Sequence, residues 1–208
     1  MIKINKGNAP TSWTRYRNTP GVVYQATDDL RNALLTEQGF ICAYCMRTIP
    51  VKDLGNIETS RIDHIKCRAD NPDLELEYEN MVICCPGFID GNEHCDKSKG
   101  TSSISLPLFN IALQNSITYS SKDGTIRSSN EIWNQEINSV IKLNSERLKN
   151  NRFQTLDGIR YALEKRKWKK AELQNKLLEF INPDILGKKR QYCGIVIWYL
   201  QKKLRNLD

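Results

Sequence analysis

The sequence predicts an α+β protein, in which short strands and a long helical region occupy different parts of the chain. Residues 62–65, which include Asp63 and His64, and the apolar residues 81–83 are predicted to be short strands, and the polar sequence between them contains Asn71-Pro72, as expected for a connecting loop. From Ser129 onward, apolar residues recur every three or four positions, which is the period of amphipathic helices. We therefore expect a small strand-containing unit followed by a helical one.

Four units are expected along the chain. Residues 1–35 should form an N-terminal arm and helix, and residues 36–101 a cysteine-rich finger. Residues 102–130 should contain a linker and a β-hairpin, and residues 131–208 should form a basic helical region.

The N-terminal arm is expected to be extended over residues 1–26, because Pro10 and Pro20 interrupt it. A helix should begin after Thr27, whose side chain can cap it, and should end at Gly39. Two acidic residues in its first turn favour the same start, because they complement the helix dipole.

The finger should contain a polar loop at residues 53–59, the two strands already described, and a helix that begins within residues 92–99. Beyond the finger, residues 117–119 and 125–127 alternate apolar and polar side chains on either side of Asp123-Gly124. Such a pattern around an Asp-Gly pair predicts a β-hairpin.

The helical region shows two long apolar patterns and a final apolar segment. The first pattern runs from residue 132 to 148, and the second runs from residue 156 to 180 and ends at Asn182-Pro183. The last segment, residues 195–204, begins with a run that is apolar nearly all round, so we expect either the core of a helical bundle or a partner contact.

The chain has 208 residues and a formal net charge of +7. Residues 131–208 contain 17 Lys and Arg against 9 Asp and Glu, whereas residues 1–130 contain 14 against 15. This basic excess suits contact with phosphate backbones as well as it suits a solvated helix surface. The sequence starts without an apolar run of signal-peptide type and has no stretch long enough to span a membrane, so we expect a cytoplasmic protein.

Six of the seven cysteines and both histidines lie within residues 40–100. Cytoplasmic thiols stay reduced, and an odd number of cysteines disfavours a disulfide framework. Cys42 and Cys45 have the spacing that lets one turn direct two sulfurs at one ion, which favours structural zinc. The second pair of ligands would come from a later group: Cys84, Cys85, His94 and Cys95.

Between the two cysteine groups lies the pair Asp63-His64. A histidine with a pKa of about 6.5 can deprotonate water at neutral pH, which makes His64 a candidate general base. An isolated Asp-His pair is more often structural, but its position between candidate zinc ligands favours catalysis.

The ordered set of motifs resembles the HNH, or His-Me finger, endonucleases. The set comprises Cys42-x-x-Cys45, Asp63-His64-Ile65, Asn80, Cys85 and Cys95-Asp96-x-x-Lys99-Gly100. The resemblance implies a zinc-stapled ββα-metal finger that hydrolyses phosphodiester bonds. The structural Zn²⁺ ligands that it implies are Cys42, Cys45, Cys85 and Cys95.

The resemblance also implies a catalytic Mg²⁺ or Mn²⁺ ion bound by Asp63. The second ligand would be the residue after the last cysteine, which is Asp96 here although the family usually has His or Asn, and His94 is the alternative. His64 would act as the general base, and Asn80 would hold either the imidazole or the local backbone in register.

Most of residues 10–130 are also similar to the PtuB-like HNH subunits of Septu anti-phage systems, including those attached to retrons. The motifs that carry this similarity are Cys-Ala-Tyr-Cys-Met, Cys-Cys-Pro-Gly, His-Cys-Asp-x-x-Lys, the Arg15–Arg17 arm and the hairpin around Asp123-Gly124. The similarity implies a role in anti-phage defence, a PtuA-like ATPase as partner, and DNA or RNA as substrate.

Basic residues in the finger and in the helical region are candidate nucleic-acid contacts: Arg68, Lys97, Lys99, Arg166 and Lys169. Six Lys or Arg between residues 160 and 170, Lys167 among them, surround Trp168 on what we expect to be one helix. This helix could bind nucleic acid, dock the ATPase, or be a solvated surface with Trp168 packed into the bundle.

Two other functions are compatible with the sequence. A non-catalytic zinc module could bind nucleic acid or protein through the basic helical region. Thiol redox chemistry is a weaker interpretation of Cys-x-x-Cys.

Overall fold

The computed structural model describes residues 1–50, 58–166 and 168–207. Within these ranges the protein is α+β, with eight α-helices and six short strands that pair into three two-stranded antiparallel sheets. Most of the predicted loop at residues 53–59, together with Lys167, lies outside the described residues.

The N-terminal arm contains a short helix, which corrects the prediction of a fully extended arm. Helix α1 spans Thr11–Arg17. Pro10 occupies its N-cap position, where a missing backbone N–H breaks no helical hydrogen bond. Trp13 is buried, and its Nε1 donates a 3.1 Å hydrogen bond to the carbonyl of Leu76, which anchors the arm to the finger.

Helix α2 spans Asp28–Gln38, as the capping pattern predicts. The side chain of Thr27 accepts a hydrogen bond from the N–H of Leu30, and Gly39 ends the helix in the left-handed conformation, with a φ of 67°. The apolar stripe of the helix is fully buried: Leu30, Leu34 and Leu35. This buried helix therefore leads directly into the turn that contains Cys42 and Cys45.

The finger contains the two strands and the helix that we expect for it. Strands β1 (Arg61–His64) and β2 (Met81–Cys84) pair antiparallel, with Asp63 opposite Val82. Two further strands, which the sequence does not predict, form a small hairpin before helix α3: β3 (Phe88–Ile89) and β4 (Asn92–Glu93). Helix α3 spans Cys95–Lys99, so the second cysteine group runs directly into it.

The predicted β-hairpin is confirmed. Helix α4 (Ile111–Ser116) leads into strand β5 (Ile117–Tyr119), which pairs antiparallel with strand β6 (Ile126–Ser128). The turn between them contains Gly124 at a φ of +74°, a conformation that favours glycine.

The C-terminal third is helical, but neither of the two long apolar patterns, residues 132–148 and 156–180, forms the continuous helix predicted from it. Its elements are α5 (Glu131–Gln135), a π-helical turn (Glu136–Val140), α6 (Glu146–Arg166), α7 (Lys170–Ile181) and α8 (Cys193–Arg205). Trp168 and Lys169 lie between α6 and α7. The side chain of Glu172 accepts a 2.7 Å hydrogen bond from the N–H of Lys169, and this cap starts a new helix.

Helix α8 lies in the core and packs against α7, α6 and β5. Ile195, Val196 and Leu200 are completely buried. Burial on this scale favours the bundle-core interpretation of residues 195–204 over a partner contact. No helix in the described ranges is both long enough and apolar enough to cross a membrane.

Candidate metal centre and acidic cleft

Four cysteine sulfurs lie together in the interior of the finger. They belong to Cys42, Cys45, Cys85 and Cys95, and none of these residues is more than 1% exposed. All four Sγ atoms lie within 4.8 Å of one another. The Cys42–Cys95 and Cys45–Cys85 pairs are each separated by 3.7 Å.

These distances fit a tetrahedral metal site. A disulfide bond would bring two sulfurs to about 2.05 Å. Four thiolates at about 2.3 Å from a zinc ion form a tetrahedron with edges of about 3.8 Å, close to the observed 3.7 Å. The four cysteines could therefore hold a metal ion such as zinc, and they are the set predicted as zinc ligands.

The backbone around the cysteines is shaped to bring them together. The N–H of Cys42 donates to the carbonyl of Arg47, and the N–H of Met46 donates back to the carbonyl of Cys42, which closes a tight turn. Met46 and Cys95 have positive φ angles of 62° and 55°. Such conformations cost about 1–3 kcal/mol each for a residue with a Cβ atom, so favourable interactions elsewhere must offset them.

Cys84 and His94 are buried next to this group but do not belong to it. Cys84 ends strand β2, directly before Cys85. The Nδ1 atom of His94 lies 3.1 Å from the sulfur of Cys95, and its Nε2 is buried without a hydrogen-bond partner among the described residues. His94 therefore adjoins the cysteine group, and this geometry does not support it as the second ligand beside Asp63.

A cleft of about 410 Å³ opens where β1 and α3 meet. Its lining includes Asp63 and His64 from β1, Asp96 and Lys97 from α3, and Arg68 from the loop after β1. Most residues predicted for the active site are thus brought together here. Asp96 follows Cys95 directly, so the cleft and the cysteine group share helix α3.

The carboxylate of Asp63 is buried and bonded at both oxygens. Its Oδ1 accepts a 2.9 Å hydrogen bond from the ammonium of Lys99, and its Oδ2 accepts a 2.5 Å hydrogen bond from the hydroxyl of Tyr44. Burial and the charge of Asp63 raise the pKa of Tyr44 well above its usual value, so the hydroxyl stays protonated and donates. These two contacts fix the orientation of Asp63.

Lys99 does not serve as a surface contact for nucleic acid, which corrects that prediction. Its side chain is 1% exposed, and its ammonium also donates to the carbonyl of His64 at 2.8 Å. An amine that is buried and paired inside the protein is not presented to a phosphate group. Lys97 and Arg68 line the cleft, whereas Arg166 and Lys169 lie at the junction of α6 and α7.

Asp96 is the second carboxylate of the cleft. Burial, reinforced by the nearby Asp63 carboxylate, raises the pKa of Asp96 to about 7. The guanidinium of Arg61 lies 3.1 Å from its Oδ2 and partly opposes this shift. The raised pKa of Asp96 therefore comes mainly from burial, and the charge of Asp63 adds to it.

His64 ends strand β1 and is only 6% exposed. Its Nε2 lies 2.9 Å from the carbonyl oxygen of Glu75. Because a carbonyl can only accept, Nε2 carries a proton, and in the neutral ring Nδ1 is the free acceptor. Burial lowers the pKa of His64, so the imidazole is neutral at pH 7.

Asn80 holds the backbone of the loop between β1 and β2, the second of its two predicted roles. Its Oδ1 accepts from the N–H of Lys66 at 2.8 Å, and its Nδ2 donates to the carbonyls of Lys66 and Leu74 at 3.0 and 3.2 Å. Leu74 directly precedes Glu75, whose carbonyl contacts His64. Asn80 therefore supports the imidazole indirectly.

Two tyrosines belong to the site although the sequence analysis did not select them. The hydroxyl of Tyr44 donates a hydrogen bond to Asp63, and the ring of Tyr24 lies 4.6 Å from that of His64. The only sequence signal for Tyr44 is its position inside the Cys-x-x-Cys turn. Tyr24 lies in the arm, and no spacing connects it to residue 64.

Comparisons with known proteins add no assignment, because no protein-family model and no curated protein matches the chain. Its fold and site define an α+β protein with a buried four-cysteine group that could bind a metal. The adjoining cleft contains two carboxylates and a neutral histidine.

Proposed function

We propose that the protein is a metal-dependent HNH endonuclease that hydrolyses phosphodiester bonds of nucleic acid. The observation that carries this proposal is the meeting of Asp63, His64 and Asp96 in one cleft next to the four-cysteine group. Carboxylates, a neutral imidazole and nearby basic side chains are the groups that such a hydrolysis needs.

Asp63 and Asp96 would hold the divalent ion, Mg²⁺ or Mn²⁺. The raised pKa of Asp96 supports this assignment, because it reflects two carboxylates kept close together in a partly buried site. Two carboxylates suffice for Mg²⁺, which usually keeps several of its waters. When bound, the ion would stabilise the negative charge that develops on the phosphate and on the leaving oxygen.

His64 would remove a proton from the attacking water. The bond from its Nε2 to the carbonyl of Glu75 leaves Nδ1 to accept that proton. The water oxygen forms a bond to phosphorus as the bond from phosphorus to the leaving oxygen breaks, and the leaving oxygen is protonated by solvent. The lowered pKa of His64 keeps this base unprotonated at neutral pH.

The four cysteines would bind a structural zinc ion. A site with four protein ligands is closed and leaves no position for substrate. Its role would be to fix helix α3 against the Cys42–Cys45 turn, which holds Asp96 near Asp63.

Arg68 and Lys97, which line the cleft, would contact the phosphates of the substrate. The substrate would be DNA or RNA. Following the resemblance to PtuB-like subunits, we assign the activity to anti-phage defence in a complex with a PtuA-like ATPase. Arg166 and Lys169 would extend the contact with nucleic acid or with that partner.

Cleavage assays on DNA and on tRNA test this proposal. Purified wild-type and His64→Ala proteins are incubated with Mg²⁺ or Mn²⁺, alone and together with the ATPase. We expect cutting by the wild type and none by the variant. Equal cutting by both proteins would refute the role of His64, and no cutting by the wild type in any mixture would refute the nuclease assignment.

A non-catalytic zinc module is the second candidate function. It is favoured by the internal bonds that Asp63 makes to Lys99 and Tyr44, which satisfy both carboxylate oxygens without a metal ion. In that case His64→Ala would leave binding to nucleic acid or protein intact, whereas Cys42→Ala would abolish folding.

A further inference from the structure

The N-terminal arm contributes a side chain to the candidate active site. The ring centroid of Tyr24 lies 4.6 Å from that of His64, with an angle of 85° between the ring planes. This edge-to-face arrangement is a favourable aromatic geometry. The guanidinium of Arg68 lies 4.6 Å from the centre of the Tyr24 ring, within cation–π range, so the tyrosine is itself held in place.

The arm that carries Tyr24 is firmly attached to the loop that contacts His64. Arg17 forms a bidentate ion pair with Glu77, with N–O distances of 2.8 and 2.9 Å. Trp13 donates a hydrogen bond to the carbonyl of Leu76. Leu76 and Glu77 follow Glu75 in the chain, so the attachment points adjoin the carbonyl that bonds the imidazole.

Contacts within the arm complete the support. The rings of Trp13 and Tyr16 stack with centroids 5.3 Å apart, and the ring of Trp13 lies 6.2 Å from that of Tyr24. The hydroxyl of Tyr16 donates a 2.9 Å hydrogen bond to the carbonyl of Val23, directly before Tyr24. Several independent contacts therefore fix the position of Tyr24.

We propose that Tyr24 is a positioning residue of the candidate active site, whose ring fixes the His64 imidazole and covers part of it. A histidine ring with one hydrogen bond at Nε2 can still tilt about its Cβ–Cγ bond, within the range that this hydrogen bond allows. Packing of a second ring at right angles removes this freedom and leaves one orientation of the base. The inference rests on the proposed function where it concerns catalysis, but the ring contact itself can be tested without any activity.

Modification by diethyl pyrocarbonate tests the contact directly. The chain has two histidines, which lie in different peptides, so mass spectrometry measures the modification of His64 separately. His94 is 0% exposed and should react little. At one fixed pH, Tyr24→Leu should be modified at His64 several-fold faster than the wild type. Tyr24→Phe keeps the ring and should be modified at the wild-type rate. Equal rates for wild type and Tyr24→Leu would overturn the proposal.

Cleavage kinetics test the consequence for catalysis. Tyr24→Leu should lower kcat by roughly 10- to 100-fold, because the orientation of the base is lost. Any change in KM would report the loss of the ring contact with Arg68. Tyr24→Phe keeps the ring and should have the kcat of the wild type. Tyr161→Leu is the control, since it removes a ring that is 59% exposed on α6 and should cut like the wild type.

Unfolding curves show whether each variant is folded, and Tyr24→Met replaces Tyr24→Leu in both assays if the latter does not fold. An unchanged kcat, or an equal loss of kcat in Tyr24→Phe, would overturn the positioning role in an active enzyme. If the wild type cuts no nucleic acid, the proposed function fails, and the modification rates alone decide whether Tyr24 covers His64.

Discussion

The ammonium of Lys99 lies 2.9 Å from Oδ1 of Asp63, in an ion pair whose two side chains are only 1% and 4% exposed. Lys99 ends helix α3, and Asp63 lies on strand β1. This contact therefore joins helix α3, which begins with Cys95, to the strand that carries His64. It makes the lysine part of the framework of the cleft.

Lys99→Met is expected to lower the free energy of unfolding by about 3–5 kcal/mol, because it leaves the Asp63 carboxylate buried without its cation. Urea denaturation measures the change. Lys97→Met is the matched control, since its exposed pair with Glu93 at 3.6 Å contributes at most about 1 kcal/mol. A loss in Lys99→Met no larger than that in Lys97→Met would contradict the role of the buried pair.

Cys85→Ala and Cys84→Ala should separate the metal ligand from its neighbour. Of these two residues Cys85 belongs to the four-sulfur group, so if that group binds zinc as proposed, Cys85→Ala should lose the ion and Cys84→Ala should keep it. Zinc content per purified chain, measured by elemental analysis, checks this result. Loss of zinc in Cys84→Ala with retention in Cys85→Ala would reverse the assignment.

Signals within a few residues predict much of the fold. The cap at Thr27 and the stop at Gly39 define helix α2, and Asp123-Gly124 defines the hairpin, because each is a local property of the backbone. The spacing of Cys42 and Cys45 likewise indicates a metal-binding turn. These predictions require no knowledge of distant contacts.

Other features depend on partners far away in the sequence. The break at Trp168 falls in the basic run of residues 164–170, which is equally compatible with the exposed face of one continuous helix. The sequence around Lys99 is that of a surface lysine, because its buried partner Asp63 lies 36 residues earlier in the chain. Tyr24 joins the site through ring packing on His64, which leaves no regular spacing in the sequence.

Asn80→Ala is expected to destabilise the protein by about 2–3 kcal/mol, because three part-buried backbone groups lose their hydrogen-bond partner: the N–H and the carbonyl of Lys66, and the carbonyl of Leu74. Asn80→Asp is the comparison: it keeps an acceptor for the N–H of Lys66 but places a carboxylate oxygen against the carbonyls of Lys66 and Leu74. It should therefore be at least as unstable as Asn80→Ala in urea denaturation at neutral pH. An Asn80→Ala protein as stable as the wild type would show that the loop is held by other contacts.

Asp96→Asn is expected to stabilise the protein when no divalent ion is added. The native pKa of Asp96 is about 7, whereas an unfolded Asp titrates at about 4. Between these values the native state binds more protons than the unfolded state, so the free energy of unfolding falls as the pH rises. Asp96→Asn should remove this decrease, so at a pH of about 8 its free energy of unfolding should exceed that of the wild type by about 2 kcal/mol.

Urea denaturation across this pH range checks the expectation, with Asp157→Asn as the control for loss of an exposed carboxylate on α6. The same Asp96→Asn substitution should abolish cleavage if the carboxylate binds the catalytic ion. A variant with an unchanged dependence of stability on pH would contradict the raised pKa of Asp96.

Gly124→Ala and Gly158→Ala should change stability in opposite directions. A Cβ atom at Gly124 would lie 2.1 Å from the carbonyl oxygen of Lys149, and the carbonyl of Gly124 accepts a hydrogen bond from the buried Arg152. The hairpin turn therefore rests directly on α6, and the positive φ of +74° adds strain to any side chain there.

Gly158 lies on an exposed part of the same helix with nothing within 4 Å of an added Cβ. We expect Gly124→Ala to lose about 3 kcal/mol or more and Gly158→Ala to gain about 0.5–1 kcal/mol from better helix propensity. Urea denaturation of both variants compares them, and equal effects would mean that the turn does not pack on α6.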